Sequence, residues 1–111
     1  MIIYVKNKNT LIIDNFRFTC CIGKNGMTSN KKEGDFSTPK GLFKLKKLYF
    51  RKDRVGTPKY LIDKKKITEN LAWCDDPNHK KYNQEIRTIN TNFKEKLYRN
   101  DHKYDYIITF N

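Results

Sequence analysis

Apolar residues in this chain come in short runs with polar breaks between them, a pattern of strands more than of helices. Met1 to Val5 and Leu11 to Ile13 are separated by Lys6-Asn7-Lys8-Asn9-Thr10. That Asn-rich connection suits a hairpin loop, so the first two strands are expected to pair antiparallel. Asp14-Asn15 supplies the next turn, and Phe16, Phe18, Cys20 and Ile22 then fall on one face of a strand by the two-residue period. Leu42 to Phe50 alternates again, with Phe43, Leu45 and Tyr49 on one side and Lys44 and Lys46 on the other, which predicts a half-buried strand with a wet outer face. Tyr60-Leu61-Ile62 reads as a brief strand. Leu71 to His79 has no steady period, and its Asp75-Asp76-Pro77-Asn78 centre is turn chemistry. Asn92 and Glu95 have the spacing of a capping box, and Phe93 and Leu97 share a helical face, so a short helix is predicted over Asn92 to Arg99. Tyr104, Tyr106, Ile108 and Phe110 alternate with Asp105, Ile107 and Thr109 as a last strand.

Composition supports a mainly β domain. Of 111 residues, 37% are hydrophobic and 14% aromatic, so the apolar mass is Phe, Tyr, Ile and Leu, which suits strands. No repeat or low-complexity linker interrupts residues 1–111, and a single domain is expected. The net charge of +12 would draw the chain towards phosphates or acidic polymers. The lysines are spread along the whole length, however, and an overall compositional habit explains them better than a patch. Nucleic acid is therefore not a favoured partner.

Cys20, Cys21 and Cys74 are odd in number and lack metal-ligand spacing, so free thiols are expected. Cys20 is expected to face the core and Cys21 the other side of its strand, both as packing residues. The apolar start of the chain meets Lys6 too early for a signal peptide, and no run approaches membrane-spanning length. The expectation is a chain with no export signal and no membrane segment.

The densest turn chemistry lies between Lys24 and Gly41. Asn25-Gly26 is a turn dipeptide, Gly26 and Gly34 allow angles that side chains resist, and Pro39 pushes Thr38 into an extended form. A connection of this length inside a compact domain is uncommon and often functional. Within it, and continuing into the next strand, Ile22 to Leu45 reads I-G-K-N-G-x4-K-x-E-G-D-x2-T-P-x-G-x-F-x-L, taking in Gly26, Lys32, Glu33, Gly34, Asp35, Thr38, Pro39, Gly41 and Phe43. Further along come Tyr49 to Arg54, then Trp73-Cys74-Asp75-Asp76-Pro77 followed by Tyr82-Asn83, and then Arg99-Asn100-Asp101-His102-Lys103-Tyr104-Asp105. With these motifs in this order, the chain resembles the L,D-transpeptidase catalytic domain, also called YkuD-like.

The resemblance implies an L,D-transpeptidase-like β-sandwich, incomplete here, that acts on peptidoglycan stem peptides through a cysteine acyl-enzyme. It implies no cofactor and no metal, and it places the family's work in the cell envelope. In that chemistry a thiolate attacks the peptide carbonyl, a histidine moves protons and backbone amides hold the oxyanion. The family's Ser/Thr-x-Gly-Cys motif and its preceding histidine have no counterpart in residues 1–111, since none of the three cysteines follows a glycine. The expectation is thus a domain truncated before its catalytic motif, with no catalytic residue of its own, inactive alone and open to a complementing C-terminal fragment. The alternative is a small basic binding module, without chemistry, for peptidoglycan or nucleic acid.

Other chemistries fare worse. Cys74 beside Asp75 and Asp76 has the wrong electrostatics for an activated thiolate, with His79 or His102 as base. Cys74, Asp75, Asp76 and His79 mix soft and hard ligands at spacings that fit no common zinc site. Glu33 and Asp35 flank a glycine and are expected to accept backbone hydrogen bonds in a turn. Trp73, with Cys74, Asp75 and Asp76, is the candidate substrate-side loop, against a reading of Trp73 as a core plug.

Overall fold

The computed structural model describes residues 1–87 and 94–111. They are mainly β and sandwich-like, with one short helix among them. The chain divides into two compact units, Met1–Leu42 and Phe43–Asn111.

In the first unit, β1 (Ile3–Asn7), β2 (Thr10–Ile13) and β3 (Phe16–Thr19) form an antiparallel meander, as the polar breaks predict. Asn7 Oδ1 accepts from Asn9 N in the first turn, and Asp14 takes the second with a positive φ of 52°. The register pairs Ile3 with Ile13 and Ile13 with Phe16, so these three share one face with Val5, Leu11 and Phe18. The predicted third strand ends early, at Thr19; Cys20 is half-buried and Cys21 exposed, so packing does not account for Cys21. The rest of this unit is the long connection, crossed by a parallel pair of two-residue strands, β4 (Met27–Thr28) and β5 (Thr38–Pro39).

The second unit begins with β6 (Leu45–Phe50), followed by the four-residue helix α1 (Lys52–Val55) and by β7 (Asp63–Lys66). Then come β8 (Leu71–Cys74), β9 (Glu85–Arg87), β10 (Lys94–Lys96) and β11 (Tyr106–Phe110). Two three-stranded sheets result, in the orders β11-β6-β7 and β10-β8-β9. Tyr49, Ile67, Leu71 and Leu97 make the core, with Trp73, Tyr98, Tyr104 and Ile107 packed against it.

Four expectations change here. β6 is a central strand, paired with both β11 and β7, and Leu48, Tyr49 and Phe50 are all buried, so its outer face is wet only at the start. The strand expected at Tyr60-Leu61-Ile62 is displaced onto the charged run that follows it, while Leu61 stays exposed. A strand of Asp and three lysines is stable as a sheet edge, where charge discourages further pairing and backbone bonds to β6 fix the register. Leu71–Cys74 is a strand without alternation, because Leu71, Ala72 and Cys74 are buried on both faces. The helix predicted over 92–99 is not present at 94–96, where β10 pairs with β8; Asn92 and Phe93 lie outside the described residues. There the open edge of β8 and burial of Leu97 outweigh a local helical pattern of weak intrinsic preference.

Candidate functional site

The signature connection in the first unit is held by its own polar groups. Asp35 gathers three donors: Lys32 N on Oδ2 at 2.8 Å, Ser37 N on Oδ1 at 2.9 Å and Lys31 Nζ on Oδ1 at 2.7 Å. The Lys31 hydrogen bond, with the two backbone amides, holds the Asp35 carboxyl down at about 2. Glu33 is exposed in the same turn, between Lys32 and Gly34, and Gly34 has a φ of 77° that a side chain would resist. Thr38 Oγ1 accepts from Gly23 N at 2.8 Å, and Thr38 N donates to the Gly26 carbonyl at 2.9 Å. Pro39 sits opposite Thr28, and Lys40 N donates to the Thr28 carbonyl. Gly23 is a position whose necessity sequence reading did not single out. A Cβ there would lie 2.4 Å from the Phe36 carbonyl oxygen, so the loop closes only over a bare backbone. Gly41 is exposed, and Phe43, which opens the second unit, puts its ring 5.0 Å from that of Phe110.

The motif at Tyr49 to Arg54 and the motif at Arg99 to Asp105 meet in the second unit. Arg51 is buried, grips Asp53 with Nε and one terminal nitrogen at 2.9 and 2.8 Å, donates to the Arg99 carbonyl at 2.7 Å and stacks 3.7 Å over the Tyr98 ring. Arg54 donates to the carbonyls of Arg99, Asn100 and Asp101 and to Asp105 Oδ1. Asp105 also meets His102 Nδ1 at 2.8 Å, and that contact, followed by the one to Arg54, lowers its carboxyl from the ordinary value. These two arginines tie the loop before β11 to the end of β6, and so fix where Tyr104 points.

Between the two sheets of this unit lies an open groove of about 850 Å³, lined by Lys47, Tyr49, Trp73, Glu85, Glu95 and Tyr104 among others. Its floor follows from register. Trp73 is directly opposite Glu95 on β10 and Glu85 on β9, so the row Glu85, Trp73, Glu95 runs across one sheet face. Each carboxylate is held by a tyrosine and a lysine. Tyr49 OH donates to Glu85 Oε1 at 3.2 Å, and Lys65 Nζ bonds Oε2. Tyr104 OH and Lys103 Nζ donate to Glu95 Oε1 at 2.8 and 3.0 Å. Tyr49 also stands edge-on to Trp73, with ring centroids 6.1 Å apart, and Trp73 Nε1 donates to Asn83 Oδ1 at 2.9 Å.

Burial would raise both glutamates, but the lysine and tyrosine hydrogen bonds outweigh it, and both stay below their ordinary value. Burial, with the charge of Glu85 behind it, pushes the Tyr49 phenol up to about 12. Near neutral pH the row therefore presents two ionised carboxylates with protonated tyrosines as donors.

The four residues of the expected substrate-side loop separate. Trp73 is on a strand and lines the groove. Cys74 is buried and, by alternation, on the opposite face of β8. Asp75 is exposed, and Asp76 Oδ1 accepts from Asn78 N in the turn. His79 Nδ1 accepts from Lys81 N. Among the described residues no group of His, Cys, Asp and Glu is placed to hold a metal ion. Among the described residues no helix is long and apolar enough to cross a membrane. The pairs Tyr49–Glu85 and Tyr104–Glu95 escaped sequence reading, because partners 36 and 9 residues apart meet only once the sheets pack.

No curated protein and no solved structure matches the chain. The YkuD family model, the L,D-transpeptidase catalytic domain, matches residues 1–111 from end to end, in agreement with the four motifs and the mainly β fold. The chain belongs to the L,D-transpeptidase (YkuD) family.

Proposed function

We propose that these 111 residues form the substrate-holding part of an L,D-transpeptidase, with the groove of the second unit receiving a peptidoglycan stem peptide. The observation that carries this reading is the row of Glu85, Trp73 and Glu95, fixed by Tyr49 of the facing sheet and by Tyr104 of the loop before β11. Such a floor offers an apolar face for the peptide and fixed charges for its ends, which is the usual make-up of a ligand site. In the family's chemistry a thiolate opens the stem-peptide bond and an amine acceptor then takes the acyl group.

This chain does not supply that thiolate in our reading. Cys74 is buried, with its backbone N–H and carbonyl taken by Gln84 and Asn83, and Cys21 is exposed in the first unit. Cysteine attack needs access and a positive setting, and Cys74, the cysteine of the second unit, lacks access. The nucleophile and its histidine come from a complementing segment outside these residues. Incubation of the purified chain with a stem tetrapeptide and an amine acceptor, followed by mass spectrometry, should give no hydrolysed or crosslinked product. Amide NMR shifts on adding the tetrapeptide should cluster on β6, β8, β9 and β11. A product that disappears in Cys74→Ala would contradict the first part of the reading, and shifts elsewhere would contradict the second.

A further inference from the structure

Edge strands of this chain differ sharply in charge. Each three-stranded sheet has two edges, and the edge strands β1, β3, β7, β9 and β10 all carry a Lys or an Arg. Charge on an edge discourages a further strand from pairing there. β11 is the exception: its Tyr-Ile-Ile-Thr-Phe has no charge, no proline and no glycine, and among the described residues it pairs with β6 alone. The register shift in that pair sets two residues of β6, Lys46 and Lys47, against Thr109, so β11 itself stays regular.

Hydrogen bonds at its two ends show which backbone groups of β11 point away from β6. Arg51 N donates to the Asp105 carbonyl, and Asn111 and Lys44 exchange both of their bonds. Inward bonding therefore falls on alternate residues from Asp105 to Asn111, and the N–H and C=O groups of Tyr106, Ile108 and Phe110 face the open edge. The side chains of these three share one face and are 52%, 45% and 49% exposed. On the other face Ile107 packs against the core and Thr109 Oγ1 donates to the Lys47 carbonyl.

The three outward residues are symmetric about Ile108. A second β11 laid antiparallel along the edge, with Ile108 opposite Ile108 of the partner subunit, sets Tyr106 opposite Phe110 of the partner subunit. Each outward N–H and C=O then finds a partner, the aromatic rings meet in pairs, and no like charges face each other across the two strands. A two-fold axis makes such pairing antiparallel by itself. For a chain of net charge +12, β11 is also the edge of a three-stranded sheet at which a second copy meets no lysine or arginine in the strand.

We infer that β11 is a homodimerisation edge, along which two copies of this chain join their β11-β6-β7 sheets into one continuous sheet centred on Ile108. This holds whatever the groove binds.

The test is sedimentation equilibrium of the full chain from about 10 μM to about 1 mM, the range suited to a small interface, in about 0.5 M salt to screen the repulsion between copies. The unaltered protein should show a monomer–dimer equilibrium, and its Ile108 amide should exchange with solvent more slowly as concentration rises. Ile108→Lys and Ile108→Glu each set like charges opposite one another at the axis and should weaken the dimer about tenfold or more, whereas an equimolar mixture of the two should regain it. Circular dichroism checks that both variants fold, and the exchange measurement needs neither of them. A monomer at every concentration, a dimer that persists in both variants, or folded variants that fail to associate on mixing would overturn the inference. A dimer whose Ile108 amide exchanges no more slowly would overturn it as well, because another surface would then hold the copies together.

Discussion

The Tyr49 hydroxyl donates to Glu85 Oε1 at 3.2 Å and so joins the central strand of one sheet to an edge strand of the other. Burial and the neighbouring carboxylate together raise this phenol to about 12. The folded value is above the unfolded one near 10, so between those two values the folded state holds the extra proton and stability falls as pH rises. Ultraviolet titration should therefore show one tyrosine ionising about two units late, and Tyr49→Phe should remove that late step. Tyr104 is raised too, by burial and by Glu95, so the diagnostic step is the one near 12, and its persistence in the variant would contradict the assignment.

The first unit should carry an acid-sensitive loop. Asp35 sits at about 2 because Lys31 and two backbone amides bind its ionised form. A depressed folded value contributes stability above the unfolded value near 4, and that contribution is lost as pH falls from about 4 to about 2. In Asp35→Asn the stability difference from the unaltered protein should be largest near neutral pH and shrink through this window. Thermal melts at a series of pH values read it directly, and a difference independent of pH would exclude the mechanism.

Core truncation should separate sharply from surface truncation. Leu97 is buried among Tyr49, Ile67 and Leu71, so Leu97→Ala should cost about 2–5 kcal/mol by denaturant unfolding. Phe16 is 69% exposed on the outer strand of the meander, and Phe16→Ala should change stability by less than about 1 kcal/mol. Similar costs at both sites would mean that the core is not where these contacts put it.

The Arg51 clamp should resist a conservative change. Its planar fork grips Asp53 with two nitrogens while the same plane stacks on Tyr98, and a lysine ammonium can do neither. Arg51→Lys should lower the melting temperature nearly as far as Arg51→Ala does, whereas Lys52→Ala, at an exposed neighbour, should leave it unchanged. Full rescue by lysine would show that charge alone matters at this position.

How much of this was legible in the sequence depends on how far apart the partners lie. The hairpin of β1 and β2, the Asp14-Asn15 turn and the final strand follow from local period and turn chemistry, and all are present. The four family motifs were equally readable, because spacing survives without knowledge of packing. β10 could not be read from the chain, since its local pattern is helical and only the free edge of β8 makes it a strand. Nor could β7, where charged residues form an edge strand against β6. The groove was half legible: Trp73 stood out by its type, but the glutamates that flank it are ordinary surface residues until register sets them in one row.

Trp73 is the single tryptophan of the chain and lies on the floor of the groove, so its fluorescence reports groove occupancy without a label. The most direct measurement is a fluorescence titration of the full chain with a stem tetrapeptide. Our account predicts a saturable change in Trp73 emission that is weakened about tenfold or more in a Glu85→Ala, Glu95→Ala double variant that still folds. No saturable change in the unaltered protein, or a change of the same affinity in the variant, would contradict the claim that this groove holds the peptide.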